Sequence, residues 1–130
     1  MPEVWVVDDD ESIRLILEES LKSDGLEVKS FARAEDIISN LENRSPDLVI
    51  SDIKMPGVNG YDLLKHLNNN YEDVPVIIMT AFTDMQAAVD AYGGGAFEYL
   101  PKPFDLEEAS SIVKRALEKT DTEKPKKISK

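Results

Sequence analysis

Five short, mostly β-branched apolar segments recur along the chain, at 3–7 (EVWVV), 26–31 (LEVKSF), 47–51 (DLVIS), 74–80 (VPVIIMT) and 96–100 (AFEYL). Between and after them the apolar residues fall at helical spacing. Ile13, Ile16, Leu17, Ser20 and Leu21 share one face, as do Ala34, Ile37, Ile38 and Leu41. Leu63, Leu64 and Leu67 mark a third helix. Met85, Ala88, Val89 and Tyr92 mark a fourth, and Leu106, Ala109, Val113, Ala116 and Leu117 a fifth. The order alternates strictly, as (βα)₅.

Alternation of this kind predicts an α/β fold, a doubly wound, five-stranded parallel sheet with helices on both faces and right-handed crossovers. Segments 47–51 and 74–80 are almost wholly apolar, as central strands covered on both faces must be. Segment 26–31 carries Glu27 and Lys29 and therefore belongs at an edge. The strand order 2-1-3-4-5 follows, and in such sheets ligands sit beyond the carboxyl ends of the strands, near the switch point between strands 1 and 3. Those ends carry Asp8 and Asp9, Asp52, Thr80 and, just past strand 5, Lys102.

The chain has 130 residues, room for one domain with a real core. Its 26 acidic against 15 basic side chains give a net charge of -11, which argues against direct binding of nucleic acid or anionic lipid. Basic protein surfaces and cations suit it better. No cysteine is present, so disulfides and thiolate metal sites are excluded. The N-terminus has no basic region leading into a long apolar one, and no stretch approaches membrane-spanning length, so a cytoplasmic location is expected. The segment 120–130 (TDTEKPKKISK) has four lysines, two acids and no apolar period; it reads as a solvated linker or tail.

Three carboxylates at one sheet edge need a proton or a cation among them. Two unit charges about 4 Å apart repel by roughly 4 kcal/mol at an effective dielectric near 20. With oxygen ligands only, Mg²⁺ is the natural cation. The single histidine, His66, is expected on the surface of the third helix. A carboxylate beside Mg²⁺ can attack a phosphoryl group and become an acyl phosphate. Lys102 and the Thr80 hydroxyl would satisfy the remaining phosphoryl oxygens. Of the run Asp8-Asp9-Asp10-Glu11, the first two belong to this site; Asp10 is placed to cap the first helix, with Glu11 in its first turn. The segment 55–60 (MPGVNG) is a loop on its proline and glycines, which would leave the Lys54 carbonyl outside any ladder. The Lys102–Pro103 bond can be cis at modest cost.

The stretches VVDD at 6–9, SDIKMPGVNG at 51–60, PVIIMTA at 75–81 and AFEYLPKPFD at 96–105 resemble the receiver domains of two-component response regulators. Within that superfamily they are most similar to the receivers of NtrC and related σ54-activator regulators. The resemblance covers about residues 3–119, so these form the expected receiver domain, of flavodoxin-like or chemotaxis-receiver-like architecture, with 120–130 leading to an output domain. It implies that Asp52 accepts a phosphoryl group from a sensor histidine kinase or a small donor such as acetyl phosphate. It implies Mg²⁺ held by Asp9, Asp52 and the Lys54 backbone carbonyl, with Asp8 helping through water. Lys102 would bind the phosphoryl group, and Thr80 and Tyr99 would be a switch pair that reshapes the surface made by segments 85–92, 96–100 and 106–117. A phosphorylation-dependent homodimer and a covalently linked transcriptional output domain are the further partners it implies. The chain would then modify itself rather than turn over an external metabolite, and would not be an enzyme.

Three other readings stand beside this one. A stand-alone regulator would keep the fold and act by docking. A haloacid-dehalogenase-type phosphatase also uses a strand-end aspartate with Mg²⁺, but wants an acid two residues on, where this chain has Lys54. A flavin-binding module needs a phosphate-cradling loop after strand 1, where the acids would repel phosphate. Gly93-Gly94-Gly95 exceeds the single glycine expected after the fourth helix, so its last turn should fray. Asp84 is the expected cap of that helix, and Phe82 should shield the phosphoryl group from water.

Overall fold

A computed structural model describes residues 1–81, 86 and 95–128, and for 119–128 the backbone only. Of the expected helix over 85–92 only residue 86 is described, and its cap Asp84, the glycines 93 and 94, and Phe82 lie outside the described residues.

The strands are β1 (Glu3–Val7), β2 (Glu27–Phe31), β3 (Leu48–Asp52), β4 (Val76–Ala81) and β5 (Glu98–Lys102). The helices are α1 (Glu11–Ser23), α2 (Ala34–Leu41), α3 (Gly60–Asn70) and, in the C-terminal segment, α4 (Leu106–Ile128). All strand pairs are parallel and the order is β2-β1-β3-β4-β5, as the alternation and the charged second strand imply.

Alternate residues of each strand feed two cores. Trp5, Val7, Val49, Val76 and Ile78 pack on one face with Ile37 and Leu41 of α2 and Leu63, Leu64 and Leu67 of α3. Val4, Val6, Leu48, Ile50, Ile77, Met79 and Leu100 pack on the other with Leu17 and Leu21 of α1 and Ala109, Val113, Ala116 and Leu117 of α4. β3 is buried along its whole length, as its apolar sequence requires.

Three details depart from the periodicity. β5 starts and ends two residues later than 96–100, so Lys102 is its last residue and Pro101 lies within it. A proline lacks the ladder donor, which is tolerated on an edge strand such as β5, bonded to β4 alone. On α1, Ile16 is 45% exposed although it shares the apolar face, because the sheet covers only the Leu17 and Leu21 side of that stripe. Finally, the helical backbone continues through the lysine-rich segment to Ile128, past Leu117 where the periodic apolar stripe ends. The Glu and Lys residues of that segment favour helix, whereas Pro125 within it lacks a backbone donor and opposes it.

Candidate functional site

The two-residue period of the strands decides which side chains meet. Asp8 continues the phase of Val4 and Val6, Asp52 that of Leu48 and Ile50, and Lys102 that of Leu100, all three rows belonging to the α1/α4 face. The carboxyl ends of β1, β3 and β5 therefore deliver two acids and one base to a single edge. Lys102 Nζ donates to Asp8 Oδ2 at 2.7 Å and lies 3.4 Å from Asp52 Oδ2. The Lys102–Pro103 bond is cis.

Asp8 is wholly buried and Asp52 is 9% exposed. Their oxygens are held by backbone donors. The Asp10 N–H donates to Asp8 Oδ1 at 2.9 Å, and the Ile53 N–H to Asp52 Oδ1 at 2.9 Å. Exposed Asp9 completes the group: one carboxylate oxygen from each of Asp8, Asp9 and Asp52 lies within 4.8 Å of the others. An oxygen-only donor set of three carboxylates fits a hard divalent cation such as Mg²⁺.

Two buried acids and one lysine set the electrostatics of the pocket. Burial raises the Asp52 pKa above its ordinary value, the Asp8 charge raises it further, and Lys102 and the Ile53 N–H only partly offset this. For Lys102, burial opposes the charge, but the hydrogen bond to Asp8 and the charges of Asp52 and Asp8 outweigh it and the pKa rises. The lysine is therefore a fixed ammonium at the floor of the site.

Asp10 takes no part in the cluster. Its Oδ1 accepts the Ser12 N–H at 2.9 Å as the N-cap of α1, with Glu11 in the first turn. Thr80 is buried at the end of β4, its hydroxyl donating to the Ala81 carbonyl at 3.4 Å. It is in phase with Val76 and Ile78, on the α2/α3 face, and so is Tyr99, which pairs with Ile78 across β4–β5 and packs half-buried on that core. Both stand one strand face away from the acids and lysine. Lys54 is exposed and opens the loop between β3 and α3. His66 is half-buried, its ring 5.9 Å from that of Tyr71, rather than fully solvated.

Two contributors escape the sequence pattern. Arg14 on α1 donates from NH1 to the Asp8 carbonyl at 2.6 Å, adding a second cation beside the acids. Its position six residues after Asp8 carries no motif; only the turn of chain from β1 into α1 brings it back. Gly60 sits where a Cβ would collide with the Asp52 backbone oxygen and stand 2.8 Å from Ile53 Cα, and its N–H donates to the Ile53 carbonyl at 2.9 Å. The sequence marks Gly60 as a loop glycine, but it is needed for close approach.

Comparison with known proteins gives the family and the fold. The response regulator receiver domain family matches residues 4–114. The DNA-binding transcriptional regulator NtrC of Salmonella typhimurium is 50% identical over 114 residues, covering 88% of this chain and 24% of that protein. The regulator of the same name from Azospirillum brasilense is 41% identical over 114 residues, with the same shares. The chain thus spans about a quarter of the length of these relatives. Among solved structures, a response regulator receiver domain protein from Clostridium thermocellum superposes with a TM-score of 0.87 at 31% identity, covering 94% of this chain and 98% of that one. NtrX from Brucella abortus, in complex with ADP, gives a TM-score of 0.92 at 26% identity, covering 99% of this chain and 30% of that one.

Proposed function

Since this chain belongs to the response regulator receiver domain family, we propose that it is a Mg²⁺-dependent phosphoryl-acceptor switch in which Asp52 is the acceptor. The observation that carries this reading is the Asp8–Lys102–Asp52 arrangement: a strand-end carboxylate beside a second acid and a fixed ammonium.

Asp52 Oδ1 is engaged by the Ile53 N–H, so Oδ2, on the Lys102 side, is the nucleophilic oxygen. It forms a bond to phosphorus as the bond from phosphorus to the donor breaks. That donor is a histidine kinase's phosphohistidine or acetyl phosphate, and the leaving imidazole or acetate departs with the electron pair. Lys102 stands where an equatorial phosphoryl oxygen would arrive and supplies a charge-assisted hydrogen bond to it. Asp8, Asp9 and Asp52, with the Lys54 backbone carbonyl, would hold Mg²⁺. When bound, the metal supplies neutralisation of the charge on the transferring group. Burial on either side of Asp52 limits access of water to the acyl phosphate.

Thr80 and Tyr99, on neighbouring strands and one face, form the switch pair in this reading. The hydroxyl leaves the Ala81 carbonyl for a phosphoryl oxygen, and the ring follows inward. A phosphoryl group shifts the equilibrium only by what it gains from one arrangement over the other, and this hydrogen bond is that gain. The rearranged surface, near segments 85–92, 96–100 and 106–117, then controls an output domain joined through 120–130, transcriptional as in the NtrC relatives. A phosphorylation-dependent homodimer is the second partner of that surface. The chain is the substrate of its own modification and not an enzyme on external metabolites, acting in the cytoplasm. Among the described residues no helix is long and apolar enough to cross a membrane.

The test is intact-mass analysis after incubation with acetyl phosphate and Mg²⁺. One added phosphoryl group, absent when chelator replaces Mg²⁺, is expected. No adduct from acetyl phosphate or from a phosphorylated kinase overturns the proposal.

A further inference from the structure

Glu35, in the first turn of α2, lies outside the acid cluster but touches the loop that leads from Asp52 to α3. That loop leaves β3 at Asp52, passes Lys54 and is closed at its far end where the Gly60 N–H meets the Ile53 carbonyl at 2.9 Å. Its apex is Gly57, at φ +77°, pressed so closely on Glu35 that a Cβ there would collide with Glu35 Oε2 and stand 3.2 Å from Arg33 NH2. Arg33 NH2 in turn donates to Glu35 Oε2 at 3.3 Å. The other oxygen, Oε1, is shut off from solvent with no hydrogen-bond partner. The Glu35 backbone N–H, then Arg33 and the Val58 backbone N–H, hold the carboxylate below its ordinary pKa against the cost of desolvation.

The partly exposed carboxylate packs against the apex of the loop, and the positive φ of Gly57 there is a conformation that glycine adopts without strain. We infer that Glu35 is a positioning residue: its carboxylate clamps the apex of the 53–60 loop and so fixes the backbone at Lys54 on which metal binding depends. This rests on the reading of Asp8, Asp9, Asp52 and the Lys54 carbonyl as the Mg²⁺ site. The clamp is mechanical. Glu35 is not among the clustered carboxylates Asp8, Asp9 and Asp52.

The experiment is calorimetric titration of Mg²⁺ into the full chain at constant ionic strength. Glu35→Ala is expected to weaken Mg²⁺ binding about tenfold, the lower end of what loss of an outer-shell support costs. Gly57→Ala should weaken it as well, and the double variant should be no weaker than the worse single one, since both break the same contact. Asp36→Ala, which removes the neighbouring first-turn acid, should change the affinity less than about twofold because its charge is exposed and screened. At saturating Mg²⁺, Glu35→Ala should regain the wild-type rate of phosphorylation by acetyl phosphate, a recovery that general loss of structure would not allow. Unchanged Mg²⁺ affinity in folded Glu35→Ala, or in the shortened Glu35→Asp if the alanine variant does not fold, overturns the clamp and leaves the phosphoryl-acceptor reading standing. Failure of the wild-type chain to bind Mg²⁺ overturns both.

Discussion

The Lys102 ammonium lies 2.7 Å from Asp8 Oδ2, joining the last strand to the first across 94 positions of sequence. Asp8 has no exposure at all, so this contact is what makes its charge tolerable. Lys102→Ala should therefore destabilise the fold by about 3 kcal/mol at neutral pH, the lower end of the cost of stranding a buried charge. Urea denaturation measures it. Addition of Mg²⁺ at 100 times its dissociation constant should return about 2.7 kcal/mol. A loss below about 1 kcal/mol, as for an exposed pair, would mean that the contact does not support the site.

Asp52 stands on the opposite side of the same account. Its pKa is raised by burial and then by Asp8. A carboxyl that binds its proton more tightly folded than unfolded makes the fold less stable as pH climbs from the ordinary value of 3.8 through the raised one. Without metal, Asp52→Asn should be as stable as wild type at the acid end of that window and more stable above it. Thermal melts across pH, with and without Mg²⁺, should show the order reverse when metal is added, because only the wild type keeps the full ligand set. Equal stability of the two proteins at neutral pH would contradict the repulsion argument.

Much of this was legible in the chain. Alternating β-branched and helical segments fixed the class, and charges in the second strand placed it at an edge, which is the observed order. The strand ends named Asp8, Asp9, Asp52 and Lys102, and the two-residue period then forces three of them onto one face. What the pattern hid was long-range or edge-dependent. The apolar run at 96–100 stops short of Pro101, which β5 nevertheless contains because a strand bonded on one side tolerates a missing ladder donor. Arg14 looks like an ordinary polar residue of α1, and Glu35 like an ordinary first-turn acid. Each acquires its role from backbone that the fold returns to it.

Gly60 tests the close approach of α3 to β3. Its φ is unremarkable among the described glycines, of which Gly25, Gly57 and Gly95 have positive φ, so strain is not the issue. Gly60→Ala adds a Cβ against the Asp52 carbonyl and Ile53 Cα, both backbone and unable to yield cheaply. A loss of about 2 kcal/mol is expected from overpacking, together with slower phosphorylation by acetyl phosphate. A variant as stable and as reactive as wild type would show that α3 can retreat freely.

Asp10 separates helix capping from metal chemistry. Asp10→Ala should cost about 1 kcal/mol through loss of the bond to Ser12 N–H. Because Asp8 is held by the Asp10 backbone N–H rather than its side chain, Mg²⁺ affinity should stay unchanged. A large fall in affinity would move Asp10 into the metal site.

The central claim is that Asp52 is the acceptor, and peptide mapping of the phosphorylated chain tests it most directly. After reaction with acetyl phosphate and Mg²⁺, borohydride trapping should mark Asp52 alone. The mark should vanish in Asp52→Asn and persist in Asp10→Asn. A phosphoryl group found on another residue, or undiminished labelling of Asp52→Asn, would contradict the account.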